Sequence, residues 1–96
     1  PLPAQDLLNR FEARRFSAAD GSALPYRLLR PTGGSGPWPL VVLLHGAGER
    51  GEDNQAQLGN GAAEWLGSDA ARAEFPCWFV LPQCPLGRSM EHVALQ

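Results

Sequence analysis

Lysine is absent from this 96-residue chain. All eight basic side chains are arginine, set against ten acidic ones for a net charge of −2. The arginines (Arg10, Arg14, Arg15, Arg27, Arg30, Arg50, Arg72 and Arg88) are scattered rather than arrayed as a stripe. A weakly acidic chain with no basic face argues against nucleic acid or an anionic membrane as partner. Long apolar runs are missing too: none approaches the roughly 20 residues that a membrane-crossing helix needs, so no membrane span is expected. No signal-peptide pattern opens the chain, and Pro1 stands where a nascent chain would carry Met, which fits a processed mature form or a trimmed piece. Cysteine is scarce, with Cys77 and Cys84 alone, at the two ends of C-W-F-V-L-P-Q-C. If that run is a strand, a rise of about 3.3 Å per residue places the two sulfurs about 20 Å apart. A disulfide needs Cα atoms within about 7 Å, so these two cannot bridge each other in that conformation. They read as small packing residues, with pairing to partners outside the chain as the competing reading. At this length the chain makes one small domain at most.

What is present is organised around two apolar runs. Residues 1–9 read as a loose lead-in or a short helical turn around Asp6 to Asn9. Residues 10–17 have partial period-2 character, and Asp20-Gly21 supplies a hairpin turn signal before a return strand at 23–30. Pro25 in that return strand suggests a sheet edge or a strand start. Residues 31–39, rich in Gly and Pro, form a surface loop. Leu40 to Leu44 reads as a strand buried on both faces. Glu52 to Leu58 suits one or two helical turns, Gly59-Asn60-Gly61 breaks them, and Ala62 to Leu66 suits another. Ser68 is an N-cap for a helix over Asp69 to Glu74, ended by Pro76. Trp78 to Leu81 is the second buried strand. Two such strands joined through broken helix make a βαβ crossover over 40–85, which should be right-handed. The tail 86–96 has no pattern. The fold class is therefore α/β, an antiparallel hairpin followed by a parallel βαβ unit.

The functional information is concentrated where the first buried run stops, at His45-Gly46-Ala47-Gly48-Glu49-Arg50-Gly51. A parallel strand ending in a glycine-rich loop delivers backbone N–H groups to the carboxyl edge of a sheet, where ligands of open α/β folds bind. Gly46, Gly48 and Gly51 match G-x-G-x-x-G, so a dinucleotide site must be weighed. Three features oppose it: the residues after the motif are polar rather than a sheet-packing helix, the next strand ends in Gln83-Cys84 rather than an acid, and a hairpin precedes the motif. The alternative chemistry is acyl transfer, whose tetrahedral intermediate carries a negative oxygen. Gly46 would let the chain turn, Ala47 would present its N–H at the sheet edge, and Gly48 would leave room for an incoming ester. Each preorganised donor there is worth roughly 2.7–4 kcal/mol.

The blocks L-P-Y-R-L-L-R-P, then P-L-V-V-L-L-H-G-A-G-E-R-G-E-D-N, then L-P-Q-C-P, taken in order over about residues 10–85, resemble the N-terminal part of bacterial α/β-hydrolase esterases. The branch is that of phospholipase/carboxylesterases and predicted peptidases, related to polyhydroxybutyrate depolymerase and feruloyl esterase domains. The resemblance implies a serine esterase acting on a carboxylic ester, with no metal or cofactor. It makes Ala47 and Gly48 the oxyanion donors, and Glu49, Arg50, Glu52, Asp53 and Asn54 residues that line or brace the pocket. His45 would brace the loop through hydrogen bonds rather than serve as a base. A periplasmic or extracellular setting is favoured over the cytoplasm.

The rest of that machinery is missing. A nucleophile on G-x-S-x-G, then an acid, then a His are required. Ser35 lies in the Gly/Pro loop and its motif lacks the last Gly. Ser89, in G-R-S-M-E, has Glu91 where the elbow needs Gly, no strand before it, and reads as a loop serine. His92 reads as solvated, and Trp38, Trp65 and Trp78 as packing residues. In the family's strand order the third strand lies between the fourth and the fifth, so Leu40–Leu44 would form an exposed apolar edge. The remainder of the hydrolase, or a second chain, is expected to complete the sheet, and the 96-residue chain alone is expected to be inactive. A non-catalytic fragment that recruits a partner strand through that edge is the competing class, with a nucleotide-binding domain behind it.

Overall fold

The computed structural model of the chain describes residues 4–59 and 61–85; Ser89, His92 and the rest of the tail 86–96 lie outside the described residues. Four strands form one mixed sheet: β1 (Glu12–Ser17), β2 (Ala23–Leu29), β3 (Leu40–Val42) and β4 (Trp78–Pro82), in the order β1-β2-β4-β3. β1 and β2 pair antiparallel, β2 and β4 antiparallel, and β3 and β4 parallel. The hairpin closes where Asp20-Gly21 signals it. Gly21 sits at φ +90°, a conformation that a Cβ would strain, and Asp20 Oδ1 accepts from the Ser22 N–H at 2.8 Å.

Pro25 stands inside β2, a strand paired on both sides, rather than at a sheet edge. The register puts it opposite Gln83, whose N–H donates to the Pro25 carbonyl at 2.9 Å. The N and C=O of one strand residue face the same neighbour, so the reciprocal bond of this pair would need a proline N–H. Its absence ends the ladder at that rung, and that is how a central strand tolerates proline here.

Helix α1 (Ala4–Arg10) stands where the sequence suggested only a turn, because Leu7 and Phe11, one helical turn apart, both bury against the sheet. Helices α2 (Gly61–Leu66) and α3 (Asp69–Glu74) follow the loop after β3, and the Ser68 hydroxyl caps α3 by accepting from Ala71 N–H at 3.2 Å. The polar stretch 52–58 is a bend over 52–54 followed by one 3₁₀ turn, Ala56–Leu58. The core lies on one face of the sheet, where Phe79, Leu81 and Leu29 meet Leu7, Phe11, Leu58 and Ala63. Phe11 and Phe79 pack edge to face at 5.8 Å.

β3 departs from the fully buried strand that its composition suggests. Leu40 is 63% exposed, Val42 53% and Leu44 57%, because β3 is the terminal strand of the sheet and its outward face has no cover among the described residues. The run is apolar enough for a sheet interior, yet one side and one face stand open.

Candidate active site

The loop that follows β3 crosses the carboxyl end of the parallel pair and returns beside the end of β4. The two residues that follow β4, Gln83 and Cys84, hold it. The Cys84 N–H donates to His45 Nε2 at 2.8 Å, and the Cys84 carbonyl accepts from Gly51 N–H at 3.0 Å. Because Nε2 accepts, the neutral ring carries its proton on Nδ1, which lies 2.6 Å from the Gly46 carbonyl. With only 2% of its side chain exposed, His45 pins the loop entry to β4.

Beyond His45 the chain winds into a 3₁₀ turn, Ala47–Glu49. The Glu49 N–H bonds the Gly46 carbonyl at 3.2 Å, and the Glu49 carboxylate folds back to accept from Gly46 N–H at 2.9 Å. The opening amides of such a turn have no partner within it. That of Gly48 has none among the described residues. A Cβ built on Gly46 or Gly48 meets nothing within 4 Å, and neither residue has a left-handed φ. The bend at Gly46 therefore needs no left-handed glycine conformation. Gly48 faces open space.

The loop's exit is more heavily tied. Gln83, with no exposed surface, donates from Nε2 to the Glu49 carbonyl at 3.1 Å and to Asp53 Oδ1 at 2.8 Å, and accepts at Oε1 from Asn54 N–H at 2.7 Å. Asn54 is at φ +56°, which asparagine tolerates. Its buried amide group reaches away from the loop, to the carbonyls of Tyr26 at 3.1 Å and Arg14 at 3.4 Å. Arg27 completes the brace, donating to the carbonyls of Asn54 at 2.7 Å, Phe11 at 2.9 Å and Leu8 at 3.2 Å. Burial lowers the Arg27 pKa, opposed by the nearby Asp53 charge. The Asp53 carboxyl is held below its ordinary value, first by the Gln55 N–H, then by the Gln83 amide and the Ala56 N–H.

The residues read from the sequence thus divide. His45, Gly46, Ala47, Gly48 and Glu49 sit together at the sheet's carboxyl edge. Asn54 and Asp53 belong to the underside of the loop. Arg50 is half-buried and Glu52 exposed, with no polar contact to another described residue. Gly51, at φ +153°, is the glycine the fold does require: a Cβ there would lie 3.3 Å from Gln83 Nε2. A dinucleotide fingerprint needs a helix opening inside the motif, and a single 3₁₀ turn stands there instead. Cys77 and Cys84 are both free thiols, and burial raises the Cys77 pKa. Among the described residues no cluster of three His, Cys, Asp or Glu side chains is placed to hold a metal, and no helix is long and apolar enough to cross a membrane.

No protein-family model matches the chain, and no curated protein matches it. Among solved structures, the crystal structure of a thermostable esterase superposes with a TM-score of 0.74 at 40% sequence identity. The chain carries an esterase-like fold. The match takes in 82% of this chain and 22% of the esterase, so the chain spans about a fifth of that protein's length.

Gln83 and Arg27 were the braces that sequence reading passed over. Gln83 had a signal: it continues the alternation Phe79, Leu81, Gln83 onto the core face, and a buried carboxamide there must find partners. Arg27 had none, since an arginine in a half-exposed hairpin ordinarily points to water.

Proposed function

We propose that the chain is the N-terminal piece of an α/β-hydrolase serine carboxylesterase and supplies its oxyanion-binding loop. The Ala47 N–H, with that of Gly48, stabilises the negative oxygen formed when a serine attacks a carboxylic ester. The nucleophile, the acid and the general-base His come from polypeptide other than these 96 residues. His45 is the loop's brace, because its Nε2 already accepts from Cys84 N–H. The observation that carries this reading is the 40% identity to a thermostable esterase across most of the chain. A 3₁₀ turn opening at Ala47 at the carboxyl end of a parallel pair, with the Gly48 amide unpartnered among the described residues, supports the site assignment.

The test is hydrolysis of a p-nitrophenyl ester by the 96-residue chain alone and by the chain extended through the coding region downstream of Gln96. The extended protein should turn over, lose activity to a serine-reactive phosphonate, and carry G-x-S-x-G in the added part. Ala47→Pro deletes one N–H at the first position of the 3₁₀ turn, where proline is tolerated, and should lower kcat by about 10²–10³. Phosphonate-sensitive turnover by the 96 residues alone, or a downstream region with no such serine, overturns the proposal.

A second reading keeps the fold and drops the chemistry: a fragment that recruits a strand through β3. The exposure of Leu40, Val42 and Leu44 favours it. An extended protein that binds and folds but never turns over would select it.

A further inference from the structure

We infer that Gln83 is the positioning residue of the oxyanion loop, setting the direction of the Ala47 and Gly48 amides without touching substrate; this rests on the esterase reading. Five bonds hold the loop between His45 and Asn54 to the two residues that follow β4, and three of its attachment points, the Glu49 carbonyl, the Asp53 carboxylate and the Asn54 N–H, end on one carboxamide. The remaining two end on the adjacent Cys84 backbone.

The chemistry of the site selects an amide. The Glu49 carbonyl and the Asp53 carboxylate can only accept, and the Asn54 N–H can only donate. A side chain that gives two hydrogens and takes one, at this length, is glutamine. Its orientation follows from its neighbours, since a flipped amide would set donor against donor and acceptor against acceptor. Gln83 is also immobile at its root, because its own N–H is bonded to the Pro25 carbonyl of the central strand. Glu49 closes the 3₁₀ turn that begins at Ala47, so a pull on the Glu49 carbonyl fixes the turn's axis, and with it the direction of both opening amides. The loop entry hangs from an exposed edge strand. Gln83 instead references the amides to the buried side of the sheet.

Gln83→Glu is the discriminating variant. The introduced carboxylate keeps the shape and can still accept from Asn54 N–H. It cannot donate, and it brings a second negative charge to Asp53. Hydrogen exchange is read on the 96-residue chain, and kcat and KM on the esterase containing it. Exchange at Gly51 and Asn54 should quicken at least tenfold at pH 8, with Phe79 and Leu81 in β4 unchanged. The kcat should fall at least tenfold with KM within twofold, because an oxyanion contact is made only in the transition state. Acidification protonates the new carboxyl, restores one donor, and should raise the Gly51 and Asn54 protection factors again, with the intrinsic exchange rate at each pH divided out. Gln83→Asn, too short to span the two acceptors, guards against a variant that fails to fold and should reproduce the exchange and kcat effects without the pH recovery. Unchanged loop exchange, or kcat and KM changing together with accelerated β4 exchange, overturns the inference. Loop exchange that responds as stated in a protein with no esterase activity retires the esterase reading and leaves Gln83 a brace of the loop alone.

Discussion

Replacing Arg27 with Met removes a guanidinium that joins three separate pieces of the chain. It donates to Leu8 and Phe11 carbonyls at the C-terminal end of α1, and to the Asn54 carbonyl beneath the site loop. Carbonyls at a helix end have no intrahelical partner, so α1 depends on an outside donor there. Hydrogen bonds to a charged group contribute about 1.5–3 kcal/mol each when well buried. Arg27 is only partly buried, and solvent screening brings this to about 1 kcal/mol per bond, or about 3 kcal/mol together. A chain of this size is stable by about 5–15 kcal/mol at most, so the loss is a large fraction. It corresponds to a fall in Tm of roughly 12–24 °C, at about 4–8 °C per kcal/mol. Met keeps most of the aliphatic stem, so packing loss is small. The assay is a urea titration followed by far-UV circular dichroism at fixed protein concentration. Arg27→Met should lower the midpoint with an unchanged slope. Arg27→Lys, a point charge without the fork, should lie between the two. A Met variant within about 0.5 kcal/mol of the parent would refute the idea that this side chain ties the site to the hairpin.

Light scattering on the 96-residue chain should show association above the monomer mass, since Leu40, Val42 and Leu44 present an open apolar edge. Val42→Lys should reduce it, and a clean, cooperatively folding monomer in the parent would count against the open edge. Acid should destabilise the fold. Glu12 is depressed by Arg30 and then Arg14, Asp53 by the Gln55 amide and then Gln83, and Asp69 by Arg10. A carboxyl lowered in the folded state stabilises it above the unfolded pKa, about 4, and loses that contribution as pH falls through the lower folded value. Urea midpoints should therefore drop below about pH 4, and a flat profile down to pH 3 would contradict the assignment. In thiol titration Cys84, 2% exposed, should react only on unfolding, and both thiols should then be counted; a count of zero would mean a disulfide.

The four strands and the hairpin turn were legible because their signals are local: β-branched and aromatic runs, Asp20-Gly21, and Ser68 ahead of an acid. The position of the loop was legible for the same reason. Its fastening was not. His45 bonds to Cys84, and Gln83 to Glu49, Asp53 and Asn54, across some thirty to forty positions, and no periodicity reports a contact at that separation. α1 was underread because a seven-residue helix has little intrinsic stability, and the two apolar residues that hold it, Leu7 and Phe11, meet partners far along the chain. Burial at β3 was overread because composition records what a strand is suited to, while exposure depends on what lies beside it. Trp65 misled for a similar reason: it is 57% exposed, its ring tilted against Phe75, where a packing residue was expected.

The mismatch at β3 and the fastening at β4 act on the same loop from opposite ends. Its entry at His45 leaves a strand with one neighbour, and its exit at Asn54 rests on a strand with two. Local opening free energies follow burial and pairing, so β3 is the element expected to fray first. Fraying at β3 alone would swing the Ala47 amide away from any fixed direction, were it not for the His45–Cys84 bond just before the turn and the Gln83–Glu49 bond at its end. Those two bonds carry the turn on β4, so the amides keep their bearing while the edge moves. A strand added beside β3 would then stabilise the sheet more than it would reshape the site. Under the proposed function, the 96-residue chain holds the loop's geometry without the reacting groups, and the rest of the esterase adds them to a turn already aimed.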